Sequence, residues 1–96
     1  MSDFFAPPPF DADAALQKVR RQLRELNLTE REGRFEARGT AWARVRVEGG
    51  ALLLDAARAP ARSPEWQTTT VRDHAQLRAW LERLARRLAD AKDPDS

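Results

Sequence analysis

The chain predicts a two-layer α+β domain, with an N-terminal helix, a three- or four-stranded antiparallel meander and a C-terminal helix. Three observations carry this expectation. Apolar residues recur at helical spacing from Ala12 to Leu26 and again from Leu77 to Leu88, the mark of amphipathic helices. Between those stretches they alternate with polar residues from Phe35 to Ala57, as in strands with one face buried. Gly39 and the pair Gly49-Gly50 interrupt the alternation, supplying the positive φ that tight hairpins need. At 96 residues the chain fits one domain, because two separate cores would each be too small to offset the entropy of ordering them.

Each element follows from local chemistry. Asp11 is a good N-cap for the first helix, with Phe10 placed to staple onto its first turn. Ala12, Leu16, Val19, Leu23 and Leu26 form its apolar stripe, and Asn27 is a left-handed stop. Phe35 and Ala37 then alternate with Arg34, Glu36 and Arg38, and Arg38-Gly39 makes a turn; one long strand with a bulge is the alternative. On the strand from Thr40 to Val47, Ala41, Ala43, Val45 and Val47 face one way and Trp42, Arg44 and Arg46 the other. The strand from Ala51 to Ala57 puts Leu52, Leu54 and Ala56 opposite to Leu53 and Asp55. Gly33 also reads as a turn residue.

Residues 59–64 read as a connector, since Pro60 and Pro64 cannot donate to a sheet. Trp66 to Val71 contains three consecutive threonines and is expected to be a fourth strand; a turn at Ser63-Pro64-Glu65 would precede it. Asp73 with Gln76 forms a capping-box pattern for the last helix, whose stripe is Leu77, Trp80, Leu81, Leu84 and Leu88. Residues 1–10, with Pro7-Pro8-Pro9 among Phe4, Phe5 and Phe10, read as an extended proline-rich tail. The folded domain is expected over 11–91, with 92–96 a disordered tail.

The inventory argues against catalysis and metal binding. The chain has no cysteine and one histidine, which removes thiolate and histidine-rich metal sites. Ser2, Ser63 and Ser96 are the only serines, and two of them lie in tails. His74 follows Asp73, but adjacent helical residues do not face each other, so an exposed first-turn histidine is the plainer reading. Phosphate loops, dinucleotide fingerprints and metalloprotease motifs are absent from the sequence. The expectation is a protein with no enzymatic activity, no cofactor and no metal.

The charge gives no address either. Seventeen basic and fifteen acidic residues leave +2 near pH 7, so the pI of 9.9 reflects arginine titration rather than a long-range field. The first ten residues lack the basic start and unbroken apolar run of a secretory signal, and no run is long enough for a membrane span. A cytoplasmic protein is expected, bacterial in style from its preference for arginine and alanine over lysine.

The constellation most able to carry function is the sheet face away from the helices. With the register above, Trp42, Arg44 and Arg46 project there together, beside Arg34 and Arg38 on the preceding strand and Leu53 on the next. Tryptophan among arginines suits a protein surface, foreign or a second copy. The same set suits single-stranded nucleic acid through stacking and phosphate contact, although Glu36 and Asp55 lie close and tyrosine is absent. A third reading is structural, with arginine stems covering Trp42. Lys18, Arg20, Arg21 and Arg24 form a second basic patch and Arg83, Arg86 and Arg87 a third, both read most simply as solvated helix faces. Trp66 is expected to plug one edge of the core or cap Trp80.

The segments Phe4-Phe5-Ala6-Pro7-Pro8-Pro9-Phe10 and Arg62-Ser63-Pro64-Glu65-Trp66-Gln67 resemble features of short bacterial proteins to which no activity is attached. The resemblance spans most of the chain and implies a bacterial, cytosolic setting, with no functional residue to transfer. The leading expectation is therefore a small interaction module that binds an unidentified protein or itself through the open sheet face or a strand edge; weak nucleic-acid binding is the alternative.

Overall fold

A computed structural model describes residues 10–61 and 64–92. The elements are α1 (Ala12–Glu25), β1 (Thr29–Arg31), β2 (Arg34–Ala37), β3 (Thr40–Glu48), β4 (Ala51–Ala61), β5 (Trp66–Val71) and α2 (His74–Lys92). The strands lie in the order β1-β2-β3-β4-β5, antiparallel throughout. The expected α+β arrangement is thus present, with residues 66–71 as a strand and one further strand, β1, ahead of the meander. The expectations for Phe4, Phe5, Pro7 to Pro9, Ser63 and residues 93–96 lie outside the described residues.

Both helices end as their sequences dictate. The Asp11 side chain accepts from the Ala14 N–H at 3.0 Å, satisfying one of the donors that a helix N-terminus leaves unpaired. At the other end Asn27 takes φ 67°. The Asn27 and Leu28 N–H groups then return to the Arg24 and Leu23 carbonyls at 2.9 and 3.2 Å, the paired bonds of a Schellman cap. In α2 the Gln76 N–H donates to Asp73 Oδ1 and the Arg72 N–H to Gln76 Oε1, both at 2.8 Å. Phe10 meets His74 edge to face, with ring centroids 5.3 Å apart, which ties the starts of the two helices together.

Three hairpins use two-residue turns in which both residues have positive φ: Glu32-Gly33, Arg38-Gly39 and Gly49-Gly50. This geometry matches the right-handed twist of the flanking strands. β1 escapes a pattern-based reading because Thr-Glu-Arg has no apolar residue to alternate. It is fixed from outside, through Glu30, whose Oε1 accepts from Arg20 Nε and Nη2 at 3.2 and 2.8 Å.

One layer of helices covers one sheet face. Ala15, Val19 and Leu23 of α1 and Leu77, Trp80, Leu84 and Leu88 of α2 share a core with Leu28, Phe35, Ala43, Leu52, Leu54 and Val71. Val45, Val47 and Ala56 are partly buried against it. Among the described residues no helix lies on the other sheet face.

The register of β3 departs from strict alternation at Trp42. Ala43 pairs with Phe35 of β2 and Ala56 of β4, whereas Ala41 pairs with Glu36 and Ala61. Trp42 lies between these rungs without a partner in either neighbouring strand, while β4 spends residues 57–60 on the same interval. An unpaired residue resets the two-residue period. Ala41 therefore joins the side of Glu36, Ala43 the side of Phe35, and Trp42 turns into the helix-covered core at 6% exposure. The expectation of Trp42 on the open face is overturned, as is that of Ala41 on the core face. The same bulge corrects the connector expected over 59–64. β4 continues through Pro60 to Ala61, because the ladder with β3 skips that interval and Pro60 has no rung to supply.

Candidate functional site

The helix-free face is built by parity from the ladder. Arg44 pairs with Asp55, and Asp55 with Thr68; Arg46 pairs with Leu53, and Leu53 with Thr70; Ala57 pairs with Trp66. Directly paired residues share a face, so Arg44, Arg46, Leu53, Asp55, Trp66, Thr68 and Thr70 form one surface, joined by Arg34, opposite Arg44 on β2. Sequence reasoning placed Arg34, Arg44, Arg46 and Leu53 together, and the structure does bring them together. Arg38 is separated from them. It occupies the β2–β3 turn with φ 55° and lines a hollow on the helix side with Trp42, Leu26 and Leu88.

Trp66 takes the place expected of Trp42. It is half-buried on the open face with the Arg44 guanidinium 4.5 Å from its ring centroid, within cation–π range. It does not cap Trp80, which lies in the core beneath the helices. The parity of β5 decides this: pairing with Ala57 places Trp66 on the same side as Asp55. The signal was present in the sequence as the alternation Trp66, Thr68, Thr70, but its direction depended on the partner strand.

Beneath Arg44 is the one buried charged side chain among the described residues, Asp55, at 0% exposure. Arg44 Nε and Nη2 each lie 3.0 Å from its Oδ2, and the Thr68 hydroxyl donates to Oδ1. Both carboxylate oxygens are therefore occupied, as a carboxylate removed from water requires. Arg44 is thus anchored on Asp55 while its guanidinium carbon lies 4.5 Å from the Trp66 ring centroid. Arg34 makes an ion pair with Glu36 at 3.2 Å. Two arginines of this face are thus matched by carboxylates, while Arg46 is exposed.

The two further basic patches disperse. Arg20 and Arg24 converge on Glu30, the latter at 3.6 Å, so they hold β1 to α1. Arg21 is exposed and Lys18 lines the groove between the helices. Arg87 donates to the carbonyl oxygens of Ala57 and Arg58 in the β4 bulge and sits 5.8 Å from the Trp42 ring. It supplies a donor to the Ala57 carbonyl, which the skipped β3 interval leaves without a rung, and this role is structural. Arg83 and Arg86 remain exposed.

The groove between α1 and α2 has a volume of about 350 Å³ and is lined by Gln22, Leu26, His74, Leu77 and Leu81 with charged residues at its rim. Gln22 Oε1 is buried there without a hydrogen-bond partner among the described residues. No group of three potential metal ligands occurs among the described residues, and no helix there is long and apolar enough to cross a membrane.

Fold and surface together define a class, a helix-backed antiparallel sheet with one face and one long edge left uncovered by the described residues. Comparison with protein-family models, curated proteins and solved structures gave no match.

Proposed function

We propose that the protein is a small, non-catalytic interaction module of the bacterial cytoplasm that binds protein through the β5 margin of its open sheet face. One observation carries the reading. At that margin Trp66 lies within cation–π distance of Arg44, itself anchored on buried Asp55, next to half-buried Leu53 and exposed Arg46 and Thr70. A rigid aromatic with an ordered arginine is the composition of an interface hot spot, and holding Arg44 in place beforehand lowers the entropy lost on binding. Nucleic-acid binding has less support, because Arg34 and Arg44 are matched by Glu36 and Asp55.

The reading is tested by recovering bound proteins with the intact chain and with Trp66→Ala, Leu53→Asp and Arg21→Glu. Proteins bound by the wild type and by Arg21→Glu, but lost with the two sheet variants, support it. An identical set with every variant overturns it. So does oligonucleotide binding that weakens steeply with salt in place of protein binding.

A further inference from the structure

We propose that β5 pairs edge to edge with the β5 of a second copy, giving a two-fold dimer with a continuous ten-stranded sheet. This rests on the reading of the β5 margin as an interaction surface and names its occupant.

The two sheet edges differ. β1 spans three residues, carries Glu30 and Arg31, and is pinned to α1 through Glu30. β5 spans six residues, Trp66-Gln67-Thr68-Thr69-Thr70-Val71, with neither a charge nor a proline. Charged residues, prolines and shortness are the usual protections of an edge strand, and β5 has none of them.

The direction of its free backbone groups follows from one bond. The Arg58 N–H donates to the Glu65 carbonyl at 2.9 Å, which makes that pair a hydrogen-bonded rung in the register shared with β5. Rungs alternate along an antiparallel ladder, so Glu65, Gln67, Thr69 and Val71 point their backbone groups at β4. Trp66, Thr68 and Thr70 point theirs away from it.

Symmetry then selects the register. An antiparallel seam within one continuous sheet requires a two-fold axis perpendicular to the sheet, and paired residues must share a face. A residue of β5 therefore meets its own copy on the axis. Centring on Thr68 pairs Thr68 with Thr68 of the second copy, and Trp66 with Thr70 in both directions, which uses every outward backbone group of Trp66, Thr68 and Thr70. Centring on Thr69 would call on Arg72, which lies beyond the strand and whose N–H is already donated to Gln76.

The flanks favour a second copy over a foreign strand. Glu65 precedes β5 and Arg72 follows it, and antiparallel pairing brings the acidic end of each strand to the basic end of the other. Among the described residues the Glu65 side chain meets Arg58 at 4.0 Å, and it is 86% exposed. Within the seam no like charges oppose each other. The dimer places both α2 helices on one side and joins the two open faces into one, with a Trp66–Arg44 pair on each side of the axis.

Sedimentation equilibrium of the full chain over a concentration series reads the mass. A dimer is expected for the wild type and a monomer for Thr70→Pro, whose lost N–H points away from β4, so the fold is retained by circular dichroism. The chain has no cysteine, so single-cysteine variants report the register. Thr68→Cys is expected to give a disulfide-linked dimer under mild oxidation, since paired Cα atoms lie within disulfide reach. Thr70→Cys is not, because its copy would be about 13 Å away along the strand. A monomeric wild type, a dimer that persists in Thr70→Pro, or cross-linking at Thr70→Cys in preference to Thr68→Cys overturns the proposal. Should Thr70→Pro fail to fold, the cross-linking decides alone. A monomer that still loses a protein partner with Trp66→Ala sinks only the dimer; loss of both sinks the interaction reading as well.

Discussion

Replacing Trp42 by alanine separates the observed register from the strict alternation of β3. Under strict alternation Trp42 would lie on the open face, and its removal would cost little. In the structure it is 6% exposed and belongs to the core with Leu88 and Phe35. A tryptophan buries roughly 150–250 Å², which at about 25 cal/mol per Å² corresponds to ~4–6 kcal/mol. Measured Trp→Ala core truncations fall at about 3–5 kcal/mol once partial relaxation is included. The total stability of a domain is only about 5–15 kcal/mol, so the variant is expected to be close to unfolding at room temperature. Urea titration followed by circular dichroism gives the value, with Trp80→Ala, 3% exposed, as a matched core truncation. Trp66→Ala, half exposed on the open face, is expected to cost markedly less than either. A loss below about 1 kcal/mol for Trp42→Ala, the range of surface substitutions, would refute the bulge and the core assignment built on it.

Arg87→Ala should cost about 1–3 kcal/mol, because it leaves the Ala57 and Arg58 carbonyls without their shared Nη2 donor; wild-type stability in denaturant unfolding would contradict that role. A double-mutant cycle on Arg44 and Asp55, read by denaturant unfolding, is expected to show coupling of about 1–3 kcal/mol, since Asp55 is fully buried; strict additivity would mean that the pair is not formed. Asn27→Ala should lose about 1 kcal/mol at the left-handed cap, where φ is 67°, while Asn27→Gly should match or exceed the wild type in thermal melting. Arg38→Asn, at φ 55° in a two-residue turn, is expected to raise stability by a few tenths of a kcal/mol; a lower melting temperature would count against that turn geometry.

Much of the fold was legible because it is locally encoded. The stripe from Ala12 to Leu26 cannot be buried except as a helix, and Asp11 and Asn27 close its ends with their own side chains and φ. The turn at Arg38-Gly39 and the strand over 66–71 were readable for the same reason. β1 was not, since a strand of three polar residues leaves no period to detect, and its anchor is Arg20 on another element. The candidate site was half legible. Arg34, Arg44, Arg46 and Leu53 share the open face as their spacing implies, yet the aromatic among them is Trp66 rather than Trp42.

By itself the sequence determined the helices, their caps, the turns and the alternation within each stretch of strand, because these depend on neighbours within a few residues. Only the tertiary structure decided which aromatic faces out. Side-chain parity along a strand is a relative quantity, and one unpaired residue at position 42 resets it for the start of β3, at Ala41 and Trp42. Where that residue falls depends on how β2 and β4 pair with β3, and on Arg87, which supplies the displaced β4 carbonyls from a helix distant in sequence. The pairing of β5 with β4 likewise decided that Trp66 lies over Arg44 and that the uncharged strand β5 is at the sheet edge.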